Sequence, residues 1–361
     1  MRVLVAGILS FFVLAIPANA AKVHKGPAGD AFYTPPATLP KGPHGTPVWQ
    51  RKLTGAAKLK KARSNRLLLY RSDGGVVSGT VAVPKGKAPK RGWPVISWAH
   101  GTVGSADVCA PSRVGTQGNY DSPLLNRWLK AGFAVVRTDY PGLGTPGPHP
   151  YLIGASEGHS VLDMVRAARK LDRHLSRNVV IAGHSQGGQA ALFAASLAPK
   201  WTPELKVRGT VAFAPVSHLG EQGALLRALT TPSNLSALAA LIVRGIDIAN
   251  PQLGIQGLLT DQAKLLYPQL DTKCLSDLAK PDSFGALAPA NLFRPDADLA
   301  PVIAALNADD DPETLKIRGP VRIEQGKADT TVFPNFTDQL VGELRAKVSY
   351  KTYAGVDHGG V

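Results

Sequence analysis

The residues best suited to chemistry are Ser185, Asp329 and His358, far apart in a chain of 361 residues. An alcohol, a carboxylate and an imidazole can together perform acyl transfer. The serine lies in Gly183-His-Ser-Gln-Gly187, after Asn178-Val-Val-Ile-Ala182 and before a run of small residues. A strand turning sharply into a helix would hold that hydroxyl exposed on a strained backbone, and the flanking glycines permit the close packing this requires. Gly154-Ala-Ser-Glu-Gly158 has the same spacing. Pro148 and Pro150 stop the segment before it from being a central strand, so Ser156 is read as the N-cap region of a helix with Glu157 in its first turn.

A serine hydroxyl attacks only when a base takes its proton. In hydrolase sheets the acid follows a late strand and the histidine follows the last one. Asp329 comes after Val321–Gln325, and His358 comes after a strand ending at Tyr353. Asp329 would hold the tautomer of His358 and stabilise its imidazolium. Asp309, Asp310 and Asp311 read as a solvated charge run, Glu324 lies within a strand, Asp338 should open the next helix, and Asp357 neighbours His358 and is expected to point elsewhere. His184 is expected to point away from the reaction, and His100 is the nearest rival base. Two backbone N–H groups would hold the oxyanion, those of Gln186 and Thr102, with Gly101 and Val103 as alternatives to Thr102.

The elements that must position these groups alternate between strand and helix. Arg66–Arg71 and Val76–Pro84 flank an Asp-Gly-Gly turn, and Trp93–Ala99, Phe133–Thr138, Val179–Ala182, Val207–Pro215, Val321–Gln325 and Lys347–Tyr353 follow as strands. Helical periodicity marks Pro123–Ala131 and Ser160–Leu175. The pattern predicts an α/β protein with a mostly parallel sheet covered on both faces, since Val179–Ala182 shows no alternation. It gives a core of residues 66–217 and 316–361, after a Pro-rich and basic arm over 21–65. Between 218 and 315 the rhythm stops, and Ala-, Leu- and Pro-rich helical stretches predict an insertion capping the carboxyl edge of the sheet.

Residues 1–20 have the layout of a secretory leader cleaved after Ala20, and their apolar run is short for a bilayer span. The two cysteines, Cys109 and Cys274, are then either bridged, as export favours, or free. Formal net charge is +15, and residues 51–91 hold twelve Lys or Arg against Asp73 alone. No interleaved aromatics or binding module accompany those bases, which argues against nucleic acid and leaves a solvated basic face or contact with an anionic envelope or lipid surface. No His-x-x-x-His or paired-Cys spacing occurs, and Gly142, Gly144 and Gly147 open no helix, so neither metal nor nucleotide cofactor is expected.

The chain resembles the secretory lipase family of α/β hydrolases, which includes yeast lipase-A-type enzymes. The resembling residues are Asp30-Ala-Phe-Tyr-Thr-Pro-Pro36, Ala99-His-Gly-Thr102, Cys109-Ala-Pro-Ser112, Asp139-Tyr-Pro-Gly-Leu-Gly144, Gly183-His-Ser-Gln-Gly-Gly188, Gly326-Lys-Ala-Asp329 and Asp357-His-Gly359. The resemblance implies an α/β-hydrolase fold with a helical lid, a Ser185, Asp329 and His358 triad, a Cys109–Cys274 bridge, and hydrolysis of acyl esters. The family continues past the histidine into a helix, whereas Gly359, Gly360 and Val361 follow it here; the His358 loop is expected to be mobile or braced by another element. Peptidase activity on the same scaffold, or binding without turnover, are the competing functions.

Overall fold

The computed structural model describes residues 23–73, 75–115 and 120–361, so the expected leader lies outside the described residues. Nine strands form one sheet in the order β1-β2-β3-β5-β4-β6-β7-β8-β9. They are β1 (Pro47–Lys52), β2 (Ser64–Ser72), β3 (Gly75–Val83), β4 (Trp93–Ala99), β5 (Ala134–Thr138), β6 (Leu175–His184), β7 (Lys206–Phe213), β8 (Lys316–Gly326) and β9 (Arg345–Tyr353). From β5 to β9 all neighbours are parallel, whereas β1, β2 and β3 pair antiparallel, with β3 antiparallel to β5. The arm therefore contributes a strand that its sequence did not announce. β1 starts at a proline and occupies the sheet edge, the position a missing N–H tolerates.

Ten helices cover the sheet and its carboxyl edge among the described residues. Between β4 and β5 come α1 (Pro111–Val114) and α2 (Ser122–Lys130), α3 (Gly154–Leu171) lies between β5 and β6, and α4 (Gln186–Trp201) follows β6. Between β7 and β8 lie α5 (Leu219–Leu226), α6 (Leu235–Ala249), α7 (Asp261–Leu266), α8 (Leu275–Leu278) and α9 (Ala300–Asp309), and α10 (Pro334–Glu343) precedes β9. Two large apolar cores result. One joins the sheet to α3 and α4 through residues such as Val95, Val136, Ile181, Met164 and Leu192. The other holds the capping helices together through Leu241, Ile246, Leu270, Phe284 and Leu306.

Because β4, β6, β8 and β9 run parallel, the loops that follow them emerge on one edge of the sheet. Thr102, Ser185, Asp329 and His358 follow those four strands in turn. The cap is tied to this edge at one corner. A disulfide joins Cys109 to Cys274, the Leu275 amide donates to the Val103 carbonyl (2.9 Å), and the Ser105 hydroxyl donates to the Leu270 carbonyl (2.8 Å).

Candidate active site

Ser185 sits between β6 and α4 with φ +57° and ψ −121°, a conformation costly for any residue with a β-carbon. The surroundings hold it there: its amide donates to the Phe213 carbonyl on β7 (2.8 Å), and its carbonyl accepts from Gly188 (2.8 Å) and Gln189 (3.2 Å). A β-carbon at Gly183 would collide with the Gly187 carbonyl, and one at Gly187 with the Ala99 carbonyl. Only glycine on both sides lets helix and strand approach this closely.

Asp329 and His358 meet across the same edge, with Nδ1 donating to Oδ2 at 2.7 Å. The other carboxylate oxygen, Oδ1, accepts from the amides of Thr331 (2.8 Å) and Val332 (2.9 Å), and Gln325 Nε2 adds a third donor at Oδ2 (3.1 Å). Burial works against the charge, yet the hydrogen bond and charge of His358 and the two amides hold the Asp329 carboxyl below the usual carboxylate range. An ionised, immobilised acceptor of this kind keeps the proton of the imidazole on Nδ1 and leaves Nε2 free to act as a base.

The His358 loop is braced by a residue expected to face elsewhere. His184 Nε2 donates to the His358 carbonyl (2.8 Å), and the two rings pack with centroids 4.6 Å apart. Ala328 and Lys327 add backbone bonds to Val356 and Tyr353 (both 2.9 Å). Ser185 thus shares a rim with His358 through its own neighbour in sequence. No direct hydrogen bond joins the Ser185 hydroxyl to the imidazole in this conformation.

The N–H groups of Gln186 and Thr102 donate to no partner among the described residues, and both flank Ser185. The Thr102 hydroxyl is fixed by Tyr151 (2.6 Å). Behind Gln186 lies a buried polar group that the sequence did not reveal. Its Nε2 donates to Glu157 Oε1 (2.6 Å) and approaches His149 Nε2 (3.4 Å), while the Leu152 amide donates to the same Glu157 oxygen (2.9 Å). Glu157 Oε2 has no partner, and burial pushes the carboxyl up to about 8. Burial also draws His149 down to about 4, so its imidazole is neutral at neutral pH.

Three sequence expectations need correcting. Helix α3 begins at Gly154 with Ile153 as its N-cap, so Ser156 is inside the first turn rather than at its cap; Glu157 lies in that turn, as expected, and is buried. Asp310 and Asp311 are buried, not solvated: Gln189 binds the Asp310 carbonyl (2.8 Å), and Asp311 caps α5 through the Leu219 amide (2.9 Å). Asp338 falls in the middle of α10, where Tyr350 donates to it (2.6 Å).

Above Ser185 and Thr102 opens a cavity of about 340 Å³, toward the lower end of the range for ligand sites. Leu238 and Ile242 of α6, Val302 and Leu306 of α9, and Val332 beyond Asp329 form its walls. The loop of Asp329 therefore shapes the cavity that Ser185 faces.

Among known proteins, the chain is 28% identical over 264 residues to a probable inactive lipase of Mycobacterium tuberculosis, and 27% identical over 291 residues to lipase 4 of Candida albicans. These alignments take in 68% and 74% of this chain but only 57% and 61% of the relatives, so the chain spans about three-fifths of their length. Candida antarctica lipase A superposes with a TM-score of 0.74 at 21% identity, covering 90% of this chain and 80% of that one. The rice cell wall degrading esterase LipA of Xanthomonas oryzae gives 0.73 at 20%, covering 89% and 94%. Both likenesses establish the α/β-hydrolase fold. The secretory lipase family model matches residues 110–303, more than half of the sequence, and the chain belongs to that family.

Proposed function

We propose that this protein hydrolyses carboxylic esters with apolar acyl groups. Ser185 is the nucleophile, His358 the base and Asp329 the residue that orients it; the amides of Gln186 and Thr102 bind the oxyanion. The observation that carries this reading is the Asp329–His358 pair standing on the same rim as a strained serine at the floor of an apolar cavity.

In the reaction, Ser185 Oγ attacks the ester carbonyl as His358 Nε2 takes its proton. The carbonyl oxygen gains the negative charge and turns toward the two free amides. The imidazolium then protonates the departing alkoxide, leaving an acyl-enzyme that water cleaves by the same two proton transfers. Between turnovers, a rotation of the Ser185 side chain or the His358 ring must complete the missing hydrogen bond. A cavity lined mostly by apolar side chains, with Arg227 its one charged residue, suits an acyl chain better than a peptide segment with its flanking amides. Export to an oxidising compartment is part of the same reading, since Cys109 and Cys274 are bridged.

A second reading, binding without turnover, draws on the absent Ser185–His358 hydrogen bond and on the relative named as a probable inactive lipase. One experiment separates the two. Release of p-nitrophenol from esters of graded acyl length should proceed with wild type and cease with Ser185→Ala; equal rates, or none with either protein, would remove the catalytic reading.

A further inference from the structure

Strands β7, β8 and β9 begin with the same three-residue pattern: Lys206-Val-Arg208, Lys316-Ile-Arg318 and Arg345-Ala-Lys347. Residues two apart in a strand share a face. All six cations are exposed, while Val207, Ile317 and Ala346 between them pack against the core. The three strands are spatial neighbours, so the pattern repeats side by side. Lys316 and Arg345 lie directly opposite each other in the β8–β9 register, a like-charge pairing that destabilises a sheet. Cations on an edge strand discourage unwanted strand pairing, which accounts for β9. β7 and β8 are interior and need no such protection.

The row continues across the sheet. Lys85, Lys87, Lys90 and Arg91 occupy the turn between β3 and β4, whose end is bonded to the start of β6 through Trp93 and the His174 carbonyl (2.6 Å). Lys58, Lys60, Lys61 and Arg63 lie before β2, held to this edge by the Arg63 amide on Val83 (2.8 Å) and the Lys61 amide on Asn126 (2.8 Å). Of the carboxylates on this edge, Glu204 is engaged by Arg166 and Asp172 by His174, whereas Glu313 Oε2, just ahead of β8, is buried without a partner. None of the six strand-start cations or the eight cations of these two loops has a carboxylate within ion-pair distance among the described residues. The eight strands from β2 to β9, at their usual spacing, extend this band to about 34 Å.

We propose that the amino-terminal edge of the sheet binds an extended polyanion, of the class of sulfated or phosphate-bearing polysaccharides. A row of cations along one sheet edge matches a linear polymer, and neutralising it relieves the repulsion built into β8 and β9. No aromatic residue separates the six strand-start cations, so nothing is offered for base stacking. The band lies at the opposite end of the strands from Ser185 and Asp329, so a bound polymer leaves the cavity open. This inference is independent of the catalytic reading.

The test compares wild type with two variants of equal net charge. Arg318→Gln, Arg345→Gln and Lys347→Gln together remove part of the band; Lys264→Gln, Lys280→Gln and Arg294→Gln remove the same charge from the cap. Affinity for heparin is measured across a salt series, together with melting temperature in the presence and absence of heparin. The band variant should bind about tenfold more weakly at low salt, with the log–log salt slope lower by about two, while the cap variant matches wild type. Heparin should raise the melting temperature of wild type more than that of the band variant. Equal losses in both variants would mean that net charge alone is responsible and would overturn the proposal. So would tighter binding to duplex DNA, or binding to phosphatidylglycerol vesicles without binding to heparin. Melting curves of the unliganded variants establish that each is folded.

Discussion

Glu157→Gln should change how stability depends on pH, because the carboxyl it replaces is buried against the residue that follows the nucleophile. Oε1 accepts from Gln186 and Leu152, which an amide oxygen can also do; Oε2 has no partner. Burial raises this acid from 4.5 to about 8. Between those values the unfolded chain has released the proton and the folded chain has kept it, so stability must fall as pH rises. The slope is about 1.4 kcal/mol per pH unit, or about 4 kcal/mol between pH 5 and pH 8. Glutamine mimics the protonated acid and removes this dependence. Asp310, also pushed up by burial, and His149, drawn down to about 4, titrate in both proteins and to first order cancel from the comparison. Urea unfolding at about pH 5 and about pH 8 should therefore give similar stabilities at the lower pH and a variant more stable by roughly 4 kcal/mol at the higher. Parallel curves for the two proteins would show that Glu157 is ionised in the folded state and refute this account of the network behind Gln186.

The triad reading predicts that Ser185→Ala lowers kcat on p-nitrophenyl esters by about six orders of magnitude and Asp329→Asn by about four, measured with melting temperatures to exclude unfolding. His184→Phe keeps a ring against His358 but loses the donor to its carbonyl; kcat should fall about tenfold to a hundredfold with KM little changed, as a misaligned base requires. Unchanged kcat would mean that the loop needs no brace. Replacing Cys109 and Cys274 by serine opens a link across 165 residues and should lower stability by up to about 5 kcal/mol in urea unfolding. An unaltered midpoint would show that the cap is held by its apolar contacts alone.

Local chemistry made much of this site readable in the sequence. The turn around Ser185 requires glycines that appear at fixed offsets, and the apolar runs of β4, β5 and β6 announce strands buried on both faces. What was hidden depends on tertiary proximity. Glu157 occupies an unremarkable helical first turn until α3 is laid against the elbow, where Gln186 reaches its carboxyl. The acidic run at 309–311 looks solvated by composition, yet Gln189 draws the Asp310 backbone inward and α5 takes Asp311 as its cap. His184 faces His358 because two loops from distant strands converge, and no spacing along the chain encodes that. β1 escaped notice since a proline opens it and only Val48 among its residues is buried.

The covalent tie between the loop following Thr102 and the segment preceding α8 limits how the roof over Ser185 can be lifted. That corner is sutured by Cys109 and Cys274 and by two flanking hydrogen bonds, so it must act as the pivot. Admission of a substrate then falls to the opposite side, where α5 ends in the exposed Leu225 and its neighbours. A roof fastened at that corner opens, if at all, from elsewhere, and severing the sulfur link would leave only noncovalent contacts, such as Gln189 on the Asp310 carbonyl, to hold it.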